Sequence, residues 1–407
     1  MNENAIVKEA DRVIDAIRKV DVSIRVVDSA GRPVADTAVK VRQTGSDFLF
    51  GCNIYLLDRL MSRRANDIYK ERFSELFNYA TTGFYWKGYE PVRGRPDYAY
   101  TKKVIEWCRK HRIRLKGHPL LWEFEAGVPT WSKGIPSRAL QKKRVRDIMR
   151  RFGKDIEFWE VVNEPSHLAG ISIDQPYRWA REVCPAGYLI VNDYHVLHDG
   201  FPPFHKLLKD SIANGVPFDG IGIQAHEPLF KRFPLEDVKR YLDLYAKFGK
   251  ELHITEFTPT SGGQIISGSR AGRTWTEAEQ ADYAVKFYKV CYAHPSVAAI
   301  TWWDLMDGKC WQKGGGLLRE DLSPKPAYHA LKRLILEEWR TSTQGHTDRR
   351  GEFTFQGFPG EYEIRCGGGR SQSFTNVYIG SHTGRRIKGT LLPLPTKKKH
   401  SVKVVMG

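Results

Sequence analysis

A parallel (β/α)₈ TIM barrel, with a small β-sandwich-like module added by the two terminal segments, is the fold class the sequence predicts. Three observations predict it. Eight short apolar runs that read as buried strands alternate with helix-like segments between residues 46 and 340. Those runs end in polar residues, as barrel strands do where their C-terminal ends converge on one mouth. Strand-rich, glycine-punctuated segments flank the region on both sides. The expected bounds are 1–45 for an N-terminal helix and β-hairpin, 46–340 for the barrel and 341–407 for the remaining accessory segment. A doubly wound sheet is the competing arrangement, but its glycine fingerprint is absent.

Taken in order, residues 5–19 read as a short helix. VDVSIRVVDSAGRPVADTAVKVRQT reads as a hairpin, with Val22, Ile24 and Val26 before a turn at Asp28–Gly31 and Val34, Val39 and Val41 after it. The eight expected strands are FLFGCN (48–53), FNYATT (77–82), IRLKGH (113–118), IEFWEVVN (156–163), YLIVND (188–193), DGIGIQ (219–224), ELHITE (251–256) and VAAITWW (297–303). Between them, ANDIYKERFSELF puts Ile68, Phe73, Leu76 and Phe77 on roughly one helix side, and YTKKVIEWCRKH does the same with Val104, Trp107 and Cys108. TEAEQADYAVKFYKVCYAH is the helix before the last strand. Beyond the barrel, GEFTFQGFPGEYEIRC, TNVYIG and HSVKVVMG read as further strands. The two flanks resemble the opening and closing halves of a carboxypeptidase-regulatory-like or immunoglobulin-like sandwich. Neither flank can bury both its faces alone, which favours contact between them; the plainer alternative packs the first hairpin separately on the barrel.

Composition limits the partners. The 407 residues are 41% hydrophobic, enough for one large core and a smaller one, and carry a formal net charge of +17. Part of that charge sits at Arg385-Arg386 and Lys397-Lys398-Lys399. Such a balance suits nucleic acid, an anionic membrane or an acidic polysaccharide. No zinc finger, helix-turn-helix spacing or stacking motif points to nucleic acid, and no apolar run is of membrane-spanning length, so neither is an expected partner. The six cysteines form no CxxC pair; buried thiols are expected, with one disulfide left open. MNENAIVKEADRVIDAIRKV has no apolar core of a signal peptide.

The strand ends carry the chemistry. His118 closes one run, Asn163 and Glu164 the next, Asn192 and Asp193 another; Gln224 with His226, then Glu256, then Trp303 follow. A lone strand-end glutamate is commonly a cap or a salt-bridge partner, but polar ends on successive strands weaken that reading. Glu164 and Glu256 across one mouth suit glycoside hydrolysis, in which one carboxylate attacks the anomeric carbon and the other protonates the leaving oxygen. Burial and like charge would raise the acid's pKa and keep it protonated near neutrality.

These segments resemble glycoside hydrolase family 10, retaining endo-β-1,4-xylanases. WEVVNEP is similar to the family's acid/base strand and ELHITEF to its nucleophile strand. The resemblance implies Glu164 as acid/base, Glu256 as nucleophile and Asn163 as a donor to the sugar 2-hydroxyl. FNYATTGFYWKGYEPVRG (77–94) resembles the second-strand motif and places Lys87 on its sugar-binding lysine. KGHPLLW (116–122) places His118 and Trp122 at the catalytic subsite. VNDY (191–194) adds Tyr194, and DGIGIQAH (219–226) sets Gln224 and His226 near the carboxylates, with His226 bonded to the nucleophile. ITWWDLMDGKCW (300–311) puts Trp303 and Trp311 at the substrate platforms, and DLSPKPAY (321–328) completes the barrel. No cofactor or metal is implied; the partner is a β-linked polysaccharide or oligosaccharide, and the setting extracellular or periplasmic. Read by residue type alone, Trp122 and Trp303 also fit a core, and Lys87 also fits a structural ion pair.

The chain departs from the family pattern at Gly83-Phe84, where a Glu-Asn pair is usual, and at Glu123, where His is usual. Both changes rebuild the expected glycone side, so Phe84 and Glu123 count among the residues expected to meet substrate. Decorated xylan, another β-linked sugar, an aryl or short β-glycoside and an exo mode all stay open, as does a non-catalytic carbohydrate-binding role. The loop TPTSGGQIISGSRAGRTW, with Arg270 and Arg273, offers charge to an acidic substituent such as a uronate.

Overall fold

The computed structural model describes residues 3–226, 232–267, 272–368, 371–380 and 399–406. Arg270, Arg385, Arg386, Lys397 and Lys398 lie outside them. The chain divides into two compact units, Leu49–Ala330 and a second formed by Met1–Phe48 with Leu331–Gly407.

The second unit contains strands β1 (Val20–Val27) and β2 (Ala38–Ser46). The first unit is a closed parallel barrel of β3 (Leu49–Asn53), β4 (Tyr79–Gly83), β5 (Arg114–His118), β6 (Phe158–Asn163), β7 (Tyr188–Asp193), β8 (Gly220–Ala225), β9 (Glu251–Phe257) and β10 (Val297–Trp302). Each strand hydrogen-bonds the next in sequence, and β10 closes on β3, pairing Ala299 with Leu49 and Thr301 with Gly51. Helices connect the strands, and side-chain caps fix where several of them start. Ser62, Asp97, Ser137 and Thr276 each accept a hydrogen bond from a backbone N–H in the first helical turn. The helix Arg63–Leu76 buries Tyr69, Phe73 and Leu76.

Side chains alternate in and out along each strand. At one end of the barrel Tyr79, Phe158 and Tyr188 interlock, with the Phe158 ring 5.2 Å from each neighbour and 5.8 Å from His253. Burial in this ring cluster pushes His253 down to about 3, so it is a neutral core residue at ordinary pH. The next inward layer is polar. Lys116 Nζ lies 2.7 Å from Glu160 Oε1, and His118 Nδ1 bonds the other oxygen, all of them buried.

In the second unit, β11 (Ser342–His346), β12 (Glu352–Gly357), β13 (Gly360–Gly368), β14 (Ser371–Ile379) and β15 (Lys399–Val405) join the first two strands. They form a three-stranded sheet, β12-β1-β15, and a four-stranded sheet, β11-β2-β13-β14. One apolar cluster draws on both: Val22, Ile24 and Val26 from β1, Val39 and Val41 from β2, Tyr362 and Ile364 from β13, and Val404 from β15. The expected hairpin of residues 20–44 does not form, because β1 and β2 belong to different sheets. The turn itself is present, with Asp28 Oδ1 accepting from the N–H groups of Ala30 and Arg32. Only one bridge follows it, Val27 with Pro33. Proline supplies no N–H to extend a ladder, and Asp36, in the left-handed region at φ 53, redirects the chain. β1 instead pairs antiparallel with β12 and parallel with β15.

All six cysteines are free, five of them buried. Among the described residues no helix is long and apolar enough to cross a membrane.

Candidate active site

The β6 strand ends on a backbone device. Asn163 is the last extended residue, and Glu164 takes a left-handed conformation at φ 54, sparsely used by non-glycine residues. Its N–H is held by the Asn192 carbonyl at 3.2 Å, and Pro165 then opens a short 3₁₀ turn. Strained geometry at a strand end is typical of functional positions.

Both glutamates are held by two partners each. Glu164 Oε1 accepts from Gln224 Nε2 at 2.9 Å and Oε2 from Trp122 Nε1 at 3.0 Å. Glu256, 4% exposed, accepts from Asn192 Nδ2 at 3.2 Å through Oε1 and lies 2.9 Å from His226 Nε2 through Oε2. The other nitrogen of His226 meets Thr258 Oγ1 at 2.9 Å. Asn192 Nδ2 also reaches Asn163 Oδ1 at 3.0 Å, which leaves the Asn163 amide group to donate elsewhere. A Cβ at Gly222 would sit 2.4 Å from the Asn192 Cβ, so glycine is what lets Asn192 occupy this position.

Burial and then the Glu256 charge push Glu164 up to about 7, against the opposing hydrogen bond from Gln224. Burial also raises Glu256, while His118 pulls it back toward the anion. Beneath the pair, burial acts to raise Glu160, but Lys116 and His118 outweigh it and hold its carboxyl below the usual range. His118, Glu160 and Glu256 bring ligand atoms within 4.8 Å of one another, a spacing a metal ion could use. Both Glu160 oxygens, however, are already committed to Lys116 and His118.

Aromatic rings surround the carboxylates. Trp303 lies edge-on to Tyr55 at 5.8 Å and His118 at 5.3 Å, and Trp311, 66% exposed, is 4.5 Å from His226. Tyr194 stacks on His167 at 3.6 Å, close enough to Glu164 to sense its charge. His118, Trp122, Asn163, Tyr194, Gln224, His226, Trp303 and Trp311 are thus linked to one another and to the two glutamates.

Three expected residues have their partners outside the carboxylate cluster. Phe84 is fully buried, its ring packed on Tyr89, Phe152 and Trp159. The reason is the two-residue period after Tyr79, Thr81 and Gly83, which turns Phe84 outward toward the helices. Truncating this ring to alanine is expected to cost about 3–5 kcal/mol of stability, read as a lower melting temperature. Lys87 sits in the helical turn Trp86–Tyr89 and pairs with Glu125. Glu123 accepts hydrogen bonds from the backbone N–H groups of Ala169, Gly170 and Ile171, so its carboxylate pins a loop.

Tyr85 is the residue that reading missed. Its hydroxyl lies 3.0 Å from His118 Nε2, and its ring meets Tyr55 and Trp122. The same alternation that turns Phe84 out would have found it. A Cβ at Gly83 would approach the Tyr55 ring at 3.1 Å, so glycine there makes room for that ring. Lys116 and Glu160 were legible as charges on inward positions of adjacent buried strands.

The chain is thus one of the closed parallel barrels that carry two carboxylates, each held by side-chain hydrogen bonds, at the ends of different strands. The profile of glycosyl hydrolase family 10 matches residues 43–334, and the chain belongs to that family. It is 28% identical over 397 residues to the anti-sigma-I factor RsgI6 of Acetivibrio thermocellus, covering 93% of this chain and 49% of that protein. It is 25% identical over 386 residues to endo-1,4-beta-xylanase 2 of Arabidopsis thaliana, covering 90% of this chain and 34% of that one. The chain therefore spans about half, or less, of the length of these curated relatives. Among solved structures, native xylanase 10B from Thermotoga maritima is similar at TM-score 0.60 and 24% identity, covering 72% of this chain and 96% of that one; this is a likeness of fold.

Proposed function

We propose that the barrel is a retaining glycoside hydrolase that cleaves β-1,4-xylosidic bonds in xylan or decorated xylan. The observation that carries the reading is the pair of buried glutamates with different partners. Burial raises both to about 7; Glu164 is bonded to Gln224 and Trp122, whereas Glu256 sits deeper, between Asn192 and His226. Family membership and the xylanase names among the relatives support the substrate.

In this reading Glu256 attacks the anomeric carbon while Glu164 gives its proton to the departing glycosidic oxygen, leaving a covalent glycosyl-enzyme. Glu164, now ionised, takes a proton from water as that water attacks the same carbon and releases Glu256. Asn163 offers its amide N–H to the sugar 2-hydroxyl. Trp122, Trp303 and Tyr85 enclose the reacting ring, and Trp311 extends an apolar platform outward. Lys116 and Glu160 act through His118 as positioning residues.

The test is a panel of linear xylan, uronate-decorated xylan, mixed-linkage glucan and aryl β-glycosides, with product length and anomer followed by NMR. Short xylo-oligosaccharides first released as the β-anomer are the expected result. Turnover confined to another β-glycoside would discard the xylan assignment, and binding without turnover of any member would discard hydrolysis.

The pH profile adds a second check. Activity requires Glu164 protonated, so kcat/KM on a xylo-oligosaccharide should fall as pH rises through about 7. Trp122 favours the ionised form of Glu164. Trp122→Phe should therefore move that limb to higher pH, as well as lowering kcat/KM.

A further inference from the structure

The outer face of the four-stranded sheet carries charges that nothing in the barrel's chemistry uses. Strand register lays its side chains out in rows. Gln344 of β11, Lys40 of β2, Arg365 of β13 and Phe374 of β14 are successive cross-strand partners. Ser342, Arg42, Glu363 and Asn376 form the neighbouring row. Two residues along a strand separate the rows by about 6.8 Å, and four strands span about 14 Å. Between them lies a shallow groove of about 640 Å³.

Three cations, Lys40, Arg42 and Arg365, line this groove with one carboxylate, Glu363. Glu363 pairs with both Arg42 and Arg365, at 3.0 and 2.8 Å. Lys40 stands directly opposite Arg365 and has no carboxylate partner among the described residues. Like charges directly opposite each other on a sheet are destabilising, so this arrangement gains from a bound anion. Arg365 also lies over the Phe374 ring at 5.7 Å. Phe374 and Tyr378 are 55% and 59% exposed on the same strand.

We infer that this face binds a uronate-bearing polysaccharide, a carboxylate on the chain seating between Lys40 and Arg365. Charge complementarity sets the sign of the ligand. The rest of the face sets its class: Phe374 and Tyr378 offer flat apolar surface to sugar rings, and Asn376, Gln344 and Ser342 offer amide and hydroxyl groups to sugar hydroxyls. A surplus of only two positive charges matches widely spaced carboxylates better than a nucleic-acid backbone, which carries a charge about every 1.7 Å in a duplex.

The test is calorimetric titration of the full chain with a short oligogalacturonate and with a neutral xylo-oligosaccharide, Glu256→Ala being used to prevent cleavage. The acidic oligomer should bind, and Lys40→Gln with Arg365→Gln should weaken it tenfold or more. Phe374→Ala should also weaken it. Neutral oligomer binding should be unchanged by all three substitutions. The double variant should melt close to the parent temperature, because removal of the opposed like charges offsets loss of the exposed Arg365–Glu363 pair. Equal acidic-oligomer affinity in the double variant, or no binding by the parent chain, would overturn the assignment. So would single-stranded RNA or anionic vesicles binding this face as tightly as the oligogalacturonate. The titration reads the same whether or not the barrel hydrolyses xylan, so the two readings fail separately.

Discussion

Glu256→Ala is expected to lower kcat on an aryl β-xyloside by at least about 10⁴-fold with little change in melting temperature, since it removes the nucleophile. Glu164→Ala should cost about 10²–10⁴-fold on a xylo-oligosaccharide, the usual range for one acid/base group, and less on a substrate with a good leaving group. The roles separate by the product formed with added azide. In Glu256→Ala, azide in the vacated space attacks the anomeric carbon and expels the phenolate, giving a glycosyl azide of inverted configuration. In Glu164→Ala, azide attacks the glycosyl-enzyme and releases Glu256, giving the retained product. The opposite pattern would exchange the two assignments. The electrostatics give a further readout. Burial is the main reason Glu164 is raised, with the Glu256 charge next. Glu256→Ala should therefore lower the Glu164 pKa below about 7 without returning it to the usual carboxylate range, as a ¹³C titration of the side chain would show.

Glu160→Leu is expected to cost about 3–5 kcal/mol of stability, the range for breaking a buried ion pair from one side. Lys116, His118 and Glu160 are all at most 1% exposed, so removal of the carboxylate leaves an ammonium group and an imidazole in a closed barrel. Melting temperature should fall by about 10 °C. Pairing Glu160→Leu with Lys116→Met should recover much of the loss, because the stranded charge goes with its partner. Failure of that recovery would mean that Glu160 acts through another contact. The sign with pH is also fixed. Lys116 and His118 depress the folded-state pKa of Glu160. Its contribution is therefore complete above the usual carboxylate range and is lost as pH falls through the folded value. Activity should fall as well, since His118 would lose the bond that fixes its ring beside Tyr85 and Glu256.

The barrel was legible because its signals are local. Runs such as VAAITW and GIGIQA are short, apolar and repeated, and every expected strand lies within two residues of an observed one. Glu164 and Glu256 were legible because strand ends gather at one mouth. What stayed hidden depended on direction or on distance. The pleat turns Phe84 outward and brings Tyr85 to His118, which counting through a motif does not show. Glu123 is expected to meet substrate because it stands where the resembled family usually has His, but its partners are backbone groups of residues 169–171. The hairpin failed for the same reason. Alternation identified β1 and β2 as strands, but their partners come from the other end of the sequence.

That pairing has a consequence in time. Asp21, on β1, bonds Gln356 across 335 residues of sequence. At about 5–20 residues per second, a ribosome needs roughly 20–70 s to make the interval. Throughout it, the apolar side of β1 has no sheet to join, while the strands from Leu49 to Trp302 emerge in the order in which they pair. The barrel can therefore assemble during synthesis, and the terminal unit must wait for its last strands.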